Sequence, residues 1–151
     1  MSLVEASIDL PARPERVWDT VMDPQRLGEW VTIHRALLSA DSGPPVTGMQ
    51  MRQRLHVRGV NVDIDWRLVQ CRAPSLAVWE GRGPARSRAH TEYELSETAD
   101  HQTHFAYRNE FHVPFGKLGA AVSAALVGGV AEHEAHHTLE RLRDLLTETT
   151  N

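Results

Sequence analysis

The longest periodic segment of the chain, residues 114–146, reads PFGKLGAAVSAALVGGVAEHEAHHTLERLRDLL and decides the fold. Its apolar positions recur in steps of three and four, which is the spacing of one face of an α-helix. The residues on this stripe are Ala124, Val127, Ala131, Ala135, Leu139, Leu142 and Leu146. The segment therefore predicts one long helix whose apolar stripe is covered by a sheet.

The front half of this helix, Leu118 to Ala131, carries no charged residue and consists mostly of Gly, Ala, Ser and Val. Small side chains on a buried helix leave volume that another element, a neighbouring chain or a ligand must occupy, because protein interiors are densely packed. We take a ligand as the leading interpretation and expect Gly128 or Gly129 to line its cavity or to let the helix bend. The alternative is close packing of the glycines against large rings of the sheet.

Length and composition limit the classes of protein to consider. The 151 residues suffice for one domain, which we expect to span residues 1–151. A net charge of −4 and the lack of a basic face argue against a nucleic-acid partner. Neither a signal peptide nor a run of about 20 apolar residues is found, and the lone Cys71 fits a reducing compartment. We therefore expect a cytoplasmic protein.

The patterning before the long helix predicts a mostly antiparallel sheet. Two short helices are expected between strands one and two, at Pro14–Met22 and Asp23–Trp30, each with a proline in its first turn. The predicted strands are Val4–Leu10, Thr32–Ala40, Met49–Val57, Val60–Leu68, Leu76–Arg82, Arg88–Leu95 and His104–Val113. Consecutive strands with segregated helices indicate an α+β fold, here a curved antiparallel sheet of about seven strands with the long helix against it.

The predicted register of one strand pair can be checked by asking whether oppositely charged residues face each other across the two strands. The two-residue loop at 58–59 predicts a tight hairpin, and this register sets Arg54 opposite Asp63 and Arg52 opposite Asp65, as cross-strand pairing favours. The other face then turns inward and carries Met49, Met51, Gln53, Leu55, Val62, Ile64, Trp66 and Leu68.

A spaced motif near the N-terminus carries a family resemblance. Residues 10–30 read L-P-A-x-P-E-x-V-W-x-x-x-x-D-P-x-x-x-x-x-W, and Gly48 follows the proline loop. With the terminal helix, the chain resembles the START-like superfamily, also called the SRPBCC or helix-grip group, and within it the polyketide cyclase/dehydrase-like branch. The resemblance covers nearly the whole chain.

The resemblance implies a sheet that grips the C-terminal helix around a cavity. In that superfamily the cavity holds lipids, sterols, plant hormones or aromatic polyketides. Some members are aromatase/cyclases and many are carriers, and the fold does not decide between these activities.

A metal site is considered and rejected. Residues 133–137, HEAHH, match the H-E-x-x-H zinc motif, but Glu140 and Arg143 stand where a metzincin needs Gly and His. On a helical wheel His133 and His137 lie opposite the apolar stripe, so we expect a solvated face, with adventitious metal binding as the alternative. No phosphate or dinucleotide motif is found, and no cofactor is expected.

Five polar residues are predicted on the inward face of the sheet, where an unpaired polar group costs about 1 to 3 kcal/mol. They either bond one another, backbone or buried water, or they meet a ligand. The predicted ligand-binding residues are these five, Gln53, Thr91, Tyr93, Tyr107 and Asn109, together with Trp30, Met51, Trp66, Trp79, Val122, Leu126 and Gly129.

Two functions follow from this site. The first is the binding of a hydrophobic small molecule, lipid-like or aromatic, by a carrier or sensor. The second is a polyketide cyclase-type enzyme in which Tyr107 or Asn109 polarises a carbonyl. No general base is identified, so the binder ranks first; a buried charged residue on the inward face would favour the enzyme.

An apolar patch is predicted on the outside of the long helix. Val122, Leu126 and Val130 share the side of His133 and His137. We expect a homodimer contact or a transient membrane contact there, unless a bend at the glycines turns this face inward.

Overall fold

The computed structural model describes residues 2–57, 59–112 and 129–148. Its strands are β1 (Ser2–Leu10), β2 (His34–Ala40), β3 (Gln50–Val57), β4 (Val60–Arg72), β5 (Leu76–Arg82), β6 (Arg88–Glu97) and β7 (Thr103–His112). They form one antiparallel, seven-stranded sheet in the order β1-β7-β6-β5-β4-β3-β2. The sheet curves, and the α+β class predicted from the sequence is confirmed.

The two short helices between β1 and β2 lie where the proline positions predict them. The helices are α1 (Pro14–Val21), a 3₁₀ turn (Pro24–Arg26) that continues into α2 (Leu27–Trp30), and α3 (Gly129–Glu148); a second 3₁₀ turn spans Pro84–Arg86. The Asp23 side chain accepts a hydrogen bond from the Gln25 backbone N–H at 3.0 Å and so caps the 3₁₀ turn. None of the helices within the described ranges is long and apolar enough to cross a membrane.

The predicted hairpin register is confirmed. Arg54 lies opposite Asp63 and Arg52 opposite Asp65 in the β3–β4 ladder. The Arg54 Nε donates to Asp63 Oδ1 at 2.8 Å, and the Arg52 Nε lies 3.6 Å from Asp65 Oδ1. The opposite face of the hairpin points into the core, as the alternation predicts.

The apolar stripe of α3 covers the sheet. Ala135, Leu139, Leu142 and Leu146 are buried in the same core as the inward residues of the strands, and α3 packs against β1 and α2. The remaining stripe positions, Ala124, Val127 and the side chain of Ala131, lie outside the described residues.

Several strand ends differ from the prediction by one to four residues, and two of these differences have a structural reason. The second strand begins at His34 rather than at Thr32, because the Thr32 backbone N–H bonds to α3 and not to the sheet. β4 continues to Arg72 beyond the predicted end at Leu68, through an irregularity in its pairing with β5 between Leu68 and Gln70.

Candidate functional site

A cavity of about 90 Å³ lies between the inward face of the sheet, α2 and α3. Every predicted ligand-binding residue whose side chain is described lines it. These residues are Trp30, Met51, Gln53, Trp66, Trp79, Thr91, Tyr93, Tyr107 and Asn109. They converge because side chains alternate between the two faces of a strand, and the five neighbouring strands β3 to β7 turn the same face toward α3.

The other predicted residues lie at the edge of the description or beyond it. Val122 and Leu126 are outside the described residues, so the predicted dimer or membrane contact also stays a prediction. Gly129 is the first described residue of α3, and Gly128 falls outside.

Gln53 joins two neighbours into one network. The Trp66 indole Nε1 donates to Gln53 Oε1 at 3.0 Å, and Gln53 Nε2 lies 2.9 Å from His34 Nδ1. Because an indole N–H can only donate, it sets the orientation of the amide, and the Gln53 NH₂ group must donate to His34. His34 is therefore neutral and carries its proton on Nε2. Burial lowers the pKa of His34, which acts in the same direction.

A second chain of hydrogen bonds crosses from β6 to β7. Thr91 Oγ1 donates to Asn109 Oδ1 at 2.9 Å, and Asn109 Nδ2 donates to the Tyr107 hydroxyl oxygen at 2.7 Å. The phenolic hydrogen of Tyr107 is not used in this chain. Burial raises the pKa of Tyr107 to about 12, against the opposite effect of the bond from Asn109, so the hydroxyl is a neutral donor at physiological pH.

Aromatic rings form one wall of the cavity. The ring centroid of Tyr93 lies 6.0 Å from that of Trp30, 5.5 Å from that of Phe105 and 6.0 Å from that of Tyr107. Burial raises the pKa of Tyr93 as well. Trp30 is 0 % exposed, and its indole Nε1–H has no hydrogen-bond partner among the described residues. An unpaired buried donor costs about 1 to 3 kcal/mol of folding free energy, so a hydrogen-bond acceptor placed against this N–H would be stabilising.

Four of the five inward polar residues have hydrogen-bond partners within the described part of the chain. Gln53, Thr91, Tyr107 and Asn109 bond one another or a neighbouring side chain. The Tyr93 hydroxyl has no partner in the part of the chain that the structure describes. The unpaired donor with no solvent access is the Trp30 indole, which we expected to supply only ring surface.

The helical-wheel prediction that the H-E-x-x-H motif faces solvent is wrong for one of its residues. His133 and His137 are exposed as expected, but Glu134 is half-buried and lines the cavity. Its Oε2 accepts a hydrogen bond of 2.6 Å from the Thr32 hydroxyl. Within the described ranges no three His, Cys, Asp or Glu residues come together as a metal site.

Sequence reasoning missed Glu134 and Thr138, which line the cavity and are both hydrogen-bonded to Thr32. The Thr32 N–H donates to Thr138 Oγ1 at 3.0 Å, and the two hydroxyls lie 3.1 Å apart. The signal for Glu134 and Thr138 was their spacing of four residues beside Ala135, which places both next to the apolar stripe.

Among the described lining residues of the cavity, one carries a charge, and this residue is Glu134. Glu80, whose direction the alternation left open, is exposed and lies 3.6 Å from His90 Nδ1. The inward face of the sheet itself is therefore uncharged where it lines the cavity, and the carboxylate comes from the helix.

Comparisons with known proteins agree with this architecture. The uncharacterized protein Rv1546 of Mycobacterium tuberculosis is 27% identical over 132 residues, which cover 86% of this chain and 92% of that protein. The crystal structure of TTHA0849 from Thermus thermophilus has a TM-score of 0.76 at 14% identity, over 99% of each chain. DynU16, a protein of the dynemicin biosynthetic locus, has a TM-score of 0.64 at 18% identity, over 97% of this chain and 48% of its own. Structural identities this low show the fold alone.

The family of this chain is shown by a match to a family model. Residues 1–147 match the family described as polyketide cyclase / dehydrase and lipid transport. The expected resemblance is thereby confirmed over nearly the whole length, and the fold agrees with it. The chain belongs to the polyketide cyclase/dehydrase and lipid transport family of the START-like superfamily, a family associated with the binding of hydrophobic ligands.

Proposed function

We propose that this protein binds a largely apolar small molecule between the sheet and α3, as a cytoplasmic carrier or sensor. One observation carries the proposal: an apolar, ring-lined cavity contains a fully buried indole N–H, that of Trp30, without a partner among the described residues. Small-molecule sites are built in this way, from apolar walls with a few convergent polar groups. The lone Cys71 supports the cytoplasmic part of the proposal.

The size of the cavity limits the ligand. A cavity of about 90 Å³ is smaller than the ~150 Å³ that accommodates a benzene ring in an engineered protein core. A ring-sized ligand therefore needs the walls to move outward. Outward movement between α3 and the segment that follows α2 has to break the hydrogen bonds that Thr32 makes with Glu134 and Thr138.

An enzyme of polyketide cyclase type is the second candidate, and Glu134 is the observation that favours it. Tyr107 offers a neutral O–H that could polarise a carbonyl, and the Glu134 carboxylate on the facing helix could accept a proton. A paired donor and base is the minimum for an intramolecular carbonyl condensation. The binder ranks first because Glu134 already accepts a hydrogen bond from Thr32.

Native mass spectrometry of freshly purified protein tests the proposal. We expect a co-purified small molecule, released on denaturation, or binding of a small aromatic probe such as acetophenone in ligand-observed NMR. Neither a co-purified molecule nor probe binding would overturn the proposal. Incubation of a recovered ligand with the protein separates the candidates, because a carrier returns it unchanged and an enzyme returns a product whose yield falls in Glu134→Gln.

A further inference from the structure

We propose that the cavity selects an uncharged ligand with a hydrogen-bond-accepting oxygen, such as a ketone or ester carbonyl, and excludes carboxylates. The Trp30 indole N–H and the Tyr107 phenolic O–H receive the oxygen, and Glu134 repels the anion. This inference rests on the proposed function of the cavity as a small-molecule site.

The Trp30 indole is the first donor. It is fully buried, it lines the cavity, and its N–H meets no acceptor among the described residues. An indole N–H can donate but cannot accept. A ligand oxygen would satisfy it, whereas a hydrocarbon would leave it unpaired and lose affinity for that reason.

The direction of the β6–β7 hydrogen bonds makes Tyr107 the second donor. Thr91 donates to Asn109, and the Asn109 NH₂ group donates to the Tyr107 oxygen. This polarity leaves the phenolic hydrogen available to a partner in the cavity. The neighbouring Tyr93 ring contacts both Trp30 and Tyr107, so the two donors belong to one continuous aromatic wall.

The charges around the cavity disfavour an anion. The described lining residues include no Lys, Arg or His, and their one charged member, Glu134, is acidic. A carboxylate would lose its hydration without gaining a cation, which is costly in an apolar site. Repulsion by Glu134 adds to this cost.

Three ligands of nearly the same size separate these effects: acetophenone, ethylbenzene and benzoate. We expect the wild type to bind acetophenone more tightly than ethylbenzene in NMR titrations, and benzoate about 10-fold more weakly than acetophenone or worse. The ratio of acetophenone to ethylbenzene affinity is the quantity to compare among variants, because changes in cavity shape affect both ligands.

Matched tryptophan variants test the donor. Trp30→Phe and Trp66→Phe make the same change in the same cavity, but the Trp66 N–H already bonds Gln53. We expect the affinity ratio to fall about 2- to 10-fold in Trp30→Phe and in Tyr107→Phe, and to stay unchanged in Trp66→Phe. A ratio unchanged in both donor variants would overturn the inference.

Glutamate variants test the charge. Glu134→Gln keeps an acceptor for Thr32 and removes the charge, while Glu140→Gln removes an exposed charge from the same helix. We expect only Glu134→Gln to improve benzoate binding relative to acetophenone, by several-fold. Equal binding of all three ligands by the wild type would overturn this inference alone, whereas binding of none, together with the absence of a co-purified molecule, would overturn the proposed function with it.

Discussion

Thr32 and Thr138 join the segment that follows α2 to the C-terminal helix, across 106 residues of sequence. The Thr32 N–H donates to Thr138 Oγ1 at 3.0 Å, and Thr138 is only 7% exposed. A side chain of α3 thus satisfies the backbone N–H of the half-buried Thr32. The same contact borders the cavity, so it couples the position of the helix to the shape of the site.

Removing the Thr138 hydroxyl should destabilise the fold. We expect Thr138→Val to lower the free energy of unfolding by about 1 to 3 kcal/mol, because the Thr32 N–H loses its acceptor. Urea denaturation measures the change. Thr147→Val is the control, since its exposed hydroxyl bonds the Arg143 carbonyl of the same helix, and we expect a change within about 0.5 kcal/mol. Equal losses in both variants would contradict this role of Thr138.

Gly81 on β5 leaves room for the Ile64 and Trp66 side chains of β4, which pack against it. A Cβ at Gly81 would lie 2.7 Å from Ile64 Cγ2 and 2.8 Å from the Trp66 ring. We therefore expect Gly81→Ala to cost about 1 to 3 kcal/mol of unfolding free energy in thermal or urea denaturation. Gly28→Ala is the matched control, because its nearest contact is an ordinary 3.4 Å to His34 Cδ2, and it should change stability by less than about 1 kcal/mol. Wild-type stability in Gly81→Ala would show that the Ile64 and Trp66 side chains can shift to admit the methyl group.

Stability should fall below neutral pH because of His34. Burial lowers the pKa of His34 from 6.5, so the unfolded chain binds this proton more readily than the folded one. The contribution of His34 is therefore complete above about pH 6.5 and is lost as the pH falls toward the folded-state pKa. Protonation of His34 also places an N–H on Nδ1, where it faces the Gln53 NH₂ group, so that two donors oppose each other.

Unfolding free energies between about pH 7.5 and about pH 5 test this prediction. His34→Gln should have a flatter pH profile than the wild type, because a glutamine can accept from Gln53 without titrating. His136→Gln, which removes an exposed histidine, should keep the wild-type slope. A slope that is unchanged in His34→Gln would refute the assignment.

Zinc should leave the thermal stability unchanged. A ligand that binds the native state stabilises it by RT ln(1 + [L]/Kd), so a tight site would raise the melting temperature by many degrees. The rings of His133 and His137 lie with their centroids 4.4 Å apart, while Glu134 is engaged by Thr32. Melting curves with stoichiometric zinc and with chelator should coincide. A zinc-dependent rise in melting temperature that disappears in His133→Ala would reveal a metal site.

The sequence predicted the hairpin register and the cavity wall because both depend on local rules. Loop length and the opposite charges of Arg54 and Asp63 select one register, and a slip of one residue would turn the inward face of β3 and β4 to solvent. The same period of two places Thr91 and Tyr107 on the inward face without any knowledge of the helix. These features need no information from distant parts of the chain.

The polar wall opposite the sheet could not be predicted in the same way. Thr32 meets Thr138 across a long sequence separation, which only the packing of α3 determines. His34 begins β2, where irregular pairing with β3 between His34 and Ala36 breaks the alternation. The direction of the Thr91 to Asn109 bond, and hence the free phenolic hydrogen, also depends on how β6 and β7 pack together.

The cavity itself can be filled from the helix. Ala135 lies on α3, is buried and lines the cavity, so the added atoms of Ala135→Leu should enter about 90 Å³ of space without displacing packed atoms. We expect the free energy of unfolding to stay within about 1 kcal/mol of the wild type or to rise, as cavity-filling substitutions often do. Binding of acetophenone, measured by ligand-observed NMR, should be lost.

Ala77→Leu is the control for that substitution. Ala77 is 0% exposed in the same core but does not belong to the described cavity lining, so a leucine there overpacks and should cost about 1 to 3 kcal/mol. Urea denaturation compares the two variants directly. If Ala135→Leu loses as much stability as Ala77→Leu and still binds the probe, the space beside Ala135 is not part of the ligand site. The combination of retained stability and lost binding, by contrast, requires that the ligand and the leucine compete for the same volume.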